Sequence, residues 1–154
     1  MRSSAIMNEK KLCDTMRFAV DGILQKDGKI LLIRRAGRTF HNSWALPGGI
    51  LEEGETVEEA LTREMLEELG VEVTIIEILG VYSKPNRDPR EHTISVAFIC
   101  DYEGKPEAGD DAASFGDFEV GMVPELDLAF DHKQIVRDYR KWFEKKGTYW
   151  STKK

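Results

Sequence analysis

The chain predicts an α/β domain of the α+β kind, a mixed β-sheet with helices on its faces. Three observations predict it. Two branched, apolar segments joined by a turn signal open the patterned region, more such segments follow an amphipathic stretch, and a second amphipathic stretch closes the chain. A length of 154 residues suits one core and is short for two. No internal repeat or low-complexity tract interrupts the pattern.

Residues 1–15 are polar and weakly patterned and are expected to form a loose arm or an edge strand, leaving 16–150 as the single domain. "RFAVDGILQ" and "KILLIRR", joined by "KDG", read as a β-hairpin. A loop, "AGRTFHNS", leads to the short apolar piece "WALP" and then Gly48-Gly49. A helix is expected over 57–69: Thr56 caps it with Glu59 three residues on, Gly70 stops it, and Leu61, Met65 and Leu69 share its core face. "VEVTIIEILGVYS" reads as one long strand or two short ones. "PNRDPREH" is a loop because Pro85 and Pro89 interrupt any ladder. "TISVAFICDY" is a strand, "EGKPEAGDDAA" a loop, and "FGDFEVGMV" (115–123) a strand weakened by Gly116 and Gly121. Over 131–146, Ile135, Val136, Tyr139, Trp142 and Phe143 recur at helical spacing, an amphipathic helix for the sheet.

Charge and composition narrow the function. The chain is 41% hydrophobic and 32% charged with a net charge of −6, which disfavours a nucleic-acid polymer or an anionic membrane as partner. No apolar run is long enough to span a bilayer, and the polar start lacks the apolar centre of a signal peptide. Cys13 and Cys100 have no metal or redox spacing and read as free thiols of a reducing cytoplasm. An acidic protein with an anionic substrate needs a positive bridge between the two.

The helix itself poses that problem sharply. Glu64, Glu67 and Glu68 stand three and four residues apart, and like charges so placed cost about 0.2–0.5 kcal/mol per pair. A solvated, salt-bridged face accounts for Glu59, Arg63 and Glu67, but it leaves Glu64 and Glu68 crowded without a basic partner on their stripe. A hard divalent cation, Mg²⁺ or Mn²⁺, turns that repulsion into coordination and presents positive charge to an anion.

Extended to residues 49–71, "GILEEGETVEEALTREMLEELGV" resembles the box of the Nudix hydrolases, G-x5-E-x7-R-E-U-x-E-E-x-G-U with U a bulky apolar residue. The resemblance implies the family's α/β/α sandwich. It implies that the Gly49 carbonyl, Glu64, Glu67 and Glu68 ligate the metal and that Arg63 orients Glu55 or Glu67. It also implies hydrolysis of a nucleoside diphosphate linked to another group, by water attack on phosphorus. The general base stays open between a box glutamate, Glu67 or Glu55, and an acid of the later loop: Asp110 and Asp111 are candidates for a fourth ligand or the base, with Glu119 a weaker one.

"VYSKPNRDPREHTISV", "GDDA" and "LAFDH" resemble segments of the small ADP-ribose pyrophosphatases, which implies cleavage of ADP-ribose to AMP and ribose 5-phosphate. Arg87 and Arg90 would face the phosphates, as would one of Arg34 and Arg35, since strand alternation sends the other to solvent. Trp44 and Phe40 are candidates to stack on the base or to fill the core. His41, His92 and His132 show no metal spacing and are assigned no chemistry. Two rival readings are a triphosphatase that removes damaged nucleotides such as 8-oxo-dGTP, and a non-catalytic nucleotide sensor, which the intact box disfavours. The family's frequent dimers allow a homodimer.

Overall fold

Alternation on a sheet buried on both faces organises this molecule, whose computed structural model describes residues 16–109 and 111–154. Strands β1 (Arg17–Lys26) and β2 (Lys29–Arg35) pair antiparallel, with Gln25 opposite Ile30 and Lys26 opposite Lys29. Asp27 and Gly28 between them both have positive φ, 52° and 76°, as a tight two-residue hairpin requires. One edge of β1 runs parallel to β6 (Thr93–Glu103), from Arg17 opposite Thr93 to Gln25 opposite Asp101. Its other edge takes β4 (Gly48–Ile50), with Asp21 opposite Gly48.

Among the described residues the sheet has eight strands in the order β3-β2-β1-β6-β5-β8, with β4 on β1 and β7 on β2. Strand β3 is Trp44–Ala45, β5 is Glu72–Tyr82, β7 is Ala112–Glu119 and β8 is Tyr149–Trp150. Helix α1 (Val57–Leu69) covers one face and α2 (His132–Glu144) the other, a mixed sheet between helices.

Successive side chains of the central strands alternate between the two cores. Val20, Leu24, Leu31, Ile33, Phe98 and Cys100 face Leu61, Met65 and Leu69 of α1. Ile23, Ile30, Leu32, Ala97 and Ile99 face Ile135, Val136, Tyr139 and Trp142 of α2. This is why the central strands read as continuous apolar runs. Helix α1 is fixed at both ends: Thr56 Oγ1 accepts from the Glu59 amide at 3.1 Å, and Gly70, at φ 66°, closes the last turn.

Three boundaries differ from expectation. The strand expected over 115–123 covers Ala112–Glu119, and Val120–Glu125 coil into a 3-10 helix. Its length is set by its partner, for β2 begins at Lys29 and Lys29 lies opposite Glu119. The closing helix spans His132–Glu144 rather than 131–146, because Asp131 is its cap. Strand β8, two residues parallel to Gly80 and Val81, has no counterpart in the sequence reading, two residues being too few for a period. The stretch after α1 is one strand, with register shifts between Ile75 and Glu77 and between Ile78 and Gly80. The N-terminal arm and Cys13 lie outside the described residues. Among the described residues no helix is long and apolar enough to cross a membrane.

Cys100 is fully buried on β6, and burial, with Asp101 nearby, pushes its thiol up to about 12. Native protein at mildly alkaline pH should leave Cys100 unalkylated, with peptide mapping showing modification there only after denaturation. Fast labelling of Cys100 in the native state would contradict this packing.

Candidate active site

The glycine turn and helix α1 build the first wall. The Gly48 amide donates to Glu68 Oε2 at 3.1 Å. A Cβ on Gly48 would lie 2.1 Å from the Val20 carbonyl oxygen, and one on Gly49 would lie 2.1 Å from the carboxyl carbon of Glu64. Glycine is required at both positions by close approach: the β4 backbone presses on β1 on one side and on the helix carboxylates on the other. Glu64, Glu67 and Glu68 then line one pocket of about 230 Å³ with Asp111, which stands just before β7. That pocket adjoins a cleft of about 520 Å³ that Glu64, Glu68 and Asp111 also line.

Burial and like charge act together here. Burial, with Glu64, Asp111 and Asp21 nearby, pushes Glu68 up to about 8 despite the Gly48 amide. Burial also raises Glu64, aided by Glu67 and Asp111 and opposed by Arg63. Arg63 braces the wall from behind. Its Nε and Nη2 hold Glu55 bidentately at 2.7 and 2.9 Å, and Nη1 donates to Glu64 at 2.8 Å and Glu67 at 3.2 Å. Nη2 also donates to the Ile50 carbonyl at 3.1 Å, and Glu55 accepts from the Glu52 amide, so the 50–55 loop is tied to α1.

Among the described residues no group of three or more acidic, His or Cys side chains already stands in metal-binding geometry. The reason is visible: Glu64 and Glu67 turn toward Arg63, and the Glu67 carboxylate is 61% exposed. The donor set nevertheless fits a hard divalent cation. It is all oxygen, two of its carboxylates are raised by burial and mutual repulsion, and the glycine turn leaves no side chain between the backbone and Glu64.

The cleft is also lined by cations. The guanidiniums of Arg35 and Arg90 lie 4.8 and 5.7 Å from the centre of the Phe130 ring. Arg35 Nε donates to the Thr39 carbonyl at 2.8 Å, and Arg90 is held bidentately by the buried Asp88 at 3.0 and 2.8 Å. Burial and the neighbouring Arg90 both lower the pKa of Arg35, the mark of two like charges held close.

Beneath lies a buried polar layer. Asp21, mid-strand on β1, accepts from the Ser95 hydroxyl, faces His132 Nε2 at 3.4 Å and stands 3.7 Å from Arg87. Arg87 is bidentate to Asp131 at 3.0 and 2.7 Å. This layer is reached at a local cost. Phe130 has φ 54°, worth about 1–3 kcal/mol of backbone strain. Asp131 caps α2 by position but makes no side-chain cap bond, forgoing about 0.5–2 kcal/mol.

The residues singled out in the sequence therefore divide. Gly49, Glu64, Glu67, Glu68, Asp111, Arg35 and Arg90 line the two pockets. Glu55 and Arg63 support them from behind. Arg87 is buried in ion pairs beneath the cleft. Arg34 points to the other face of β2 and lies over Trp44 at 4.8 Å, while Trp44 packs edge-on to Phe118 against the second core. Neither lines the cleft. Phe40 touches Phe130 edge-on, and Glu119 sits exposed at the far end of β7 opposite Lys29. Asp110 lies outside the described residues. Asp21, Asp88, Phe130 and His132 line the cleft without having been singled out for it. Asp21 had a signal, a carboxylate inside an otherwise apolar strand run.

Burial alone would raise Asp21, but His132, Arg87 and Ser95 together hold it below its ordinary value of 3.8. A depressed carboxylate stabilises the fold above its unfolded pKa, and the contribution is lost as pH falls through the folded value. Asp21→Asn should cost about 3 kcal/mol of stability at neutral pH, and its deficit against wild type should shrink as pH drops below 3.8. Chemical unfolding across pH measures both, and a deficit that stays constant into acid would contradict the assignment.

Residues 15–145 match the model of the NUDIX domain. The chain is 52% identical over 125 residues to the ADP-ribose pyrophosphatase of Methanocaldococcus jannaschii, covering 80% of this chain and 73% of that protein. The NUDIX domain of Shewanella oneidensis NrtR, solved in complex with ADP ribose, superposes with a TM-score of 0.74 at 25% identity, over 82% of this chain and 87% of that one. The bifunctional NMN adenylyltransferase/ADP ribose pyrophosphatase of Francisella tularensis, solved with AMP and a manganese ion, superposes with a TM-score of 0.73 at 26% identity, over 94% of this chain and 47% of that one. The chain belongs to the NUDIX family and is a Nudix pyrophosphohydrolase.

Proposed function

We propose that this chain hydrolyses ADP-ribose to AMP and ribose 5-phosphate. One observation carries the reading: a single cleft is lined both by the carboxylates Glu64, Glu68 and Asp111 and by the guanidiniums of Arg35 and Arg90. A diphosphate would fit such a cleft with Mg²⁺ or Mn²⁺ held by the carboxylates and its charge also met by the arginines. Its volume of about 520 Å³ is in the usual range for a small-molecule site. The names of the Methanocaldococcus and Francisella relatives and the ligand of the Shewanella domain support ADP-ribose as substrate.

In this reading the Gly49 carbonyl, Glu64, Glu67 and Glu68 hold the ion. When bound there, a divalent ion would polarise a phosphoryl oxygen and make a bound water more acidic. Arg35 and Arg90 bind the diphosphate, each already held, by Thr39 and Asp88, and so losing little freedom on binding. Arg63 and Glu55 keep Glu64 and Glu67 near the helix face. Attack by water forms one P–O bond and breaks the bridging P–O bond, one phosphate leaving with each product. The water's proton goes to Glu67 or Asp111, the exposed carboxylates of the metal pocket.

Incubation with ADP-ribose and Mg²⁺ should yield AMP and ribose 5-phosphate, and excess chelator should abolish the reaction. Glu68→Gln should lower kcat by about a hundredfold or more without unfolding the chain. Arg90→Ala should act chiefly on KM, raising it about tenfold. Turnover of triphosphates with pyrophosphate release, and none of ADP-ribose, would contradict the proposed substrate.

A further inference from the structure

His132 stands where the glycine turn, the buried layer of Asp21 and the start of α2 meet. Its Nδ1 accepts from the Leu46 amide at 3.0 Å, a fully buried bond. An accepting Nδ1 carries no proton, so the ring proton lies on Nε2, which faces Asp21 Oδ1 at 3.4 Å. The other oxygen of Asp21 accepts from Ser95, so the carboxylate cannot turn away from the ring without losing that bond. Hydroxyl, carboxylate and imidazole thus form one chain of polar contacts that ends on the backbone two residues before Gly48.

That backbone is held at three successive points. Leu46 donates to His132, the Pro47 carbonyl accepts from the Gly22 amide at 2.8 Å, and Gly48 donates to Glu68 at 3.1 Å. Gly49 follows immediately, against Glu64. The segment that brings His132 here accepts left-handed backbone at Phe130 and gives up the Asp131 cap bond to Arg87. Backbone strain that persists beside a polar cleft calls for a functional reason, and burial alone gives none, because an apolar residue at 132 would need neither Asp21 nor Leu46.

Resting on the reading of the metal pocket above, we propose that His132 is a positioning residue. Its Nδ1 acceptor, oriented by Asp21, fixes the Leu46–Gly49 turn so that the Gly49 carbonyl and the Glu68 carboxylate converge on one divalent cation. Glu68 holds the turn from the helix side and His132 from the opposite side.

The test compares wild type, His132→Gln and His132→Asn for Mn²⁺ affinity, by electron paramagnetic resonance of free Mn²⁺, and for kcat and KM on ADP-ribose. An asparagine amide oxygen reaches the place of Nδ1 and can accept from Leu46; a glutamine amide reaches the place of Nε2 and meets Asp21 only. Glutamine should weaken Mn²⁺ about tenfold and lower kcat similarly, with KM within about twofold. Asparagine should recover both to within about threefold of wild type. Wild-type Mn²⁺ affinity in His132→Gln, or equal losses in the two variants, would overturn the role of His132 alone. A wild-type chain that takes up no Mn²⁺ would overturn the reading of the pocket, and this proposal with it. Should His132→Gln fail to fold, His132→Asn decides by itself: retained Mn²⁺ affinity supports the role and its loss overturns it.

Discussion

Crowding of like charge is the constraint on which this structure turns. Glu64 and Glu68 are drawn toward the protein interior, beside Glu67 and Asp111, where water cannot fully screen them. Their neighbours are arranged to make that arrangement tolerable. The glycine turn gives Glu68 a backbone donor and gives Glu64 room that any side chain would fill. Arg63 satisfies several carboxylates at once and ties the preceding loop to the helix that carries them. Arg63 supplies one positive charge to Glu55, Glu64 and Glu67 together, and the remaining deficit of positive charge is the chemical basis for the divalent-ion binding proposed above.

The sheet explains how such a pocket can be held rigidly. Strand β1 is flanked on both edges and covered on both faces, so its residues have little freedom to move. Asp21 projects from this strand into the cleft floor, where it organises Ser95 from β6, Arg87 from the β5–β6 loop and His132 from α2. Each partner comes from a different element; Arg87 is joined in turn to Asp131 and His132 to the Leu46 amide. The cationic part is built likewise: Arg35 of β2 and Arg90 of the β5–β6 loop both lie against the Phe130 ring, so two repelling guanidiniums stay near one another. Opposite charges from separate parts of the chain therefore line one cleft.

Legibility in the sequence followed the range of the interaction. The hairpin turn, the Thr56 and Gly70 caps and the spacing of Glu64, Glu67 and Glu68 are local features and could be read directly. Residues joined across the fold could not. Leu46 and His132 are 86 positions apart, and no period or motif of one chain announces their bond. Alternation said that one of Arg34 and Arg35 must turn from the site, but choosing Arg35 needed the sheet's register. Arg87 carries the charge expected of a phosphate ligand, yet Asp131 and Asp21 engage it beneath the cleft. Trp44 is aromatic and adjacent to the glycine turn, but its strand presents it to the other core. The limits of β7 likewise belong to its partner β2 rather than to its own residues.

Crystals grown with Mn²⁺ and a methylene-bridged, non-hydrolysable ADP-ribose analogue give the most direct measurement. An anomalous scattering peak between the Glu64 and Glu68 carboxylates, with the bisphosphonate spanning from it to Arg35 and Arg90, is the predicted result. Full analogue density with no scatterer between those carboxylates, or with the phosphates away from both arginines, would contradict it.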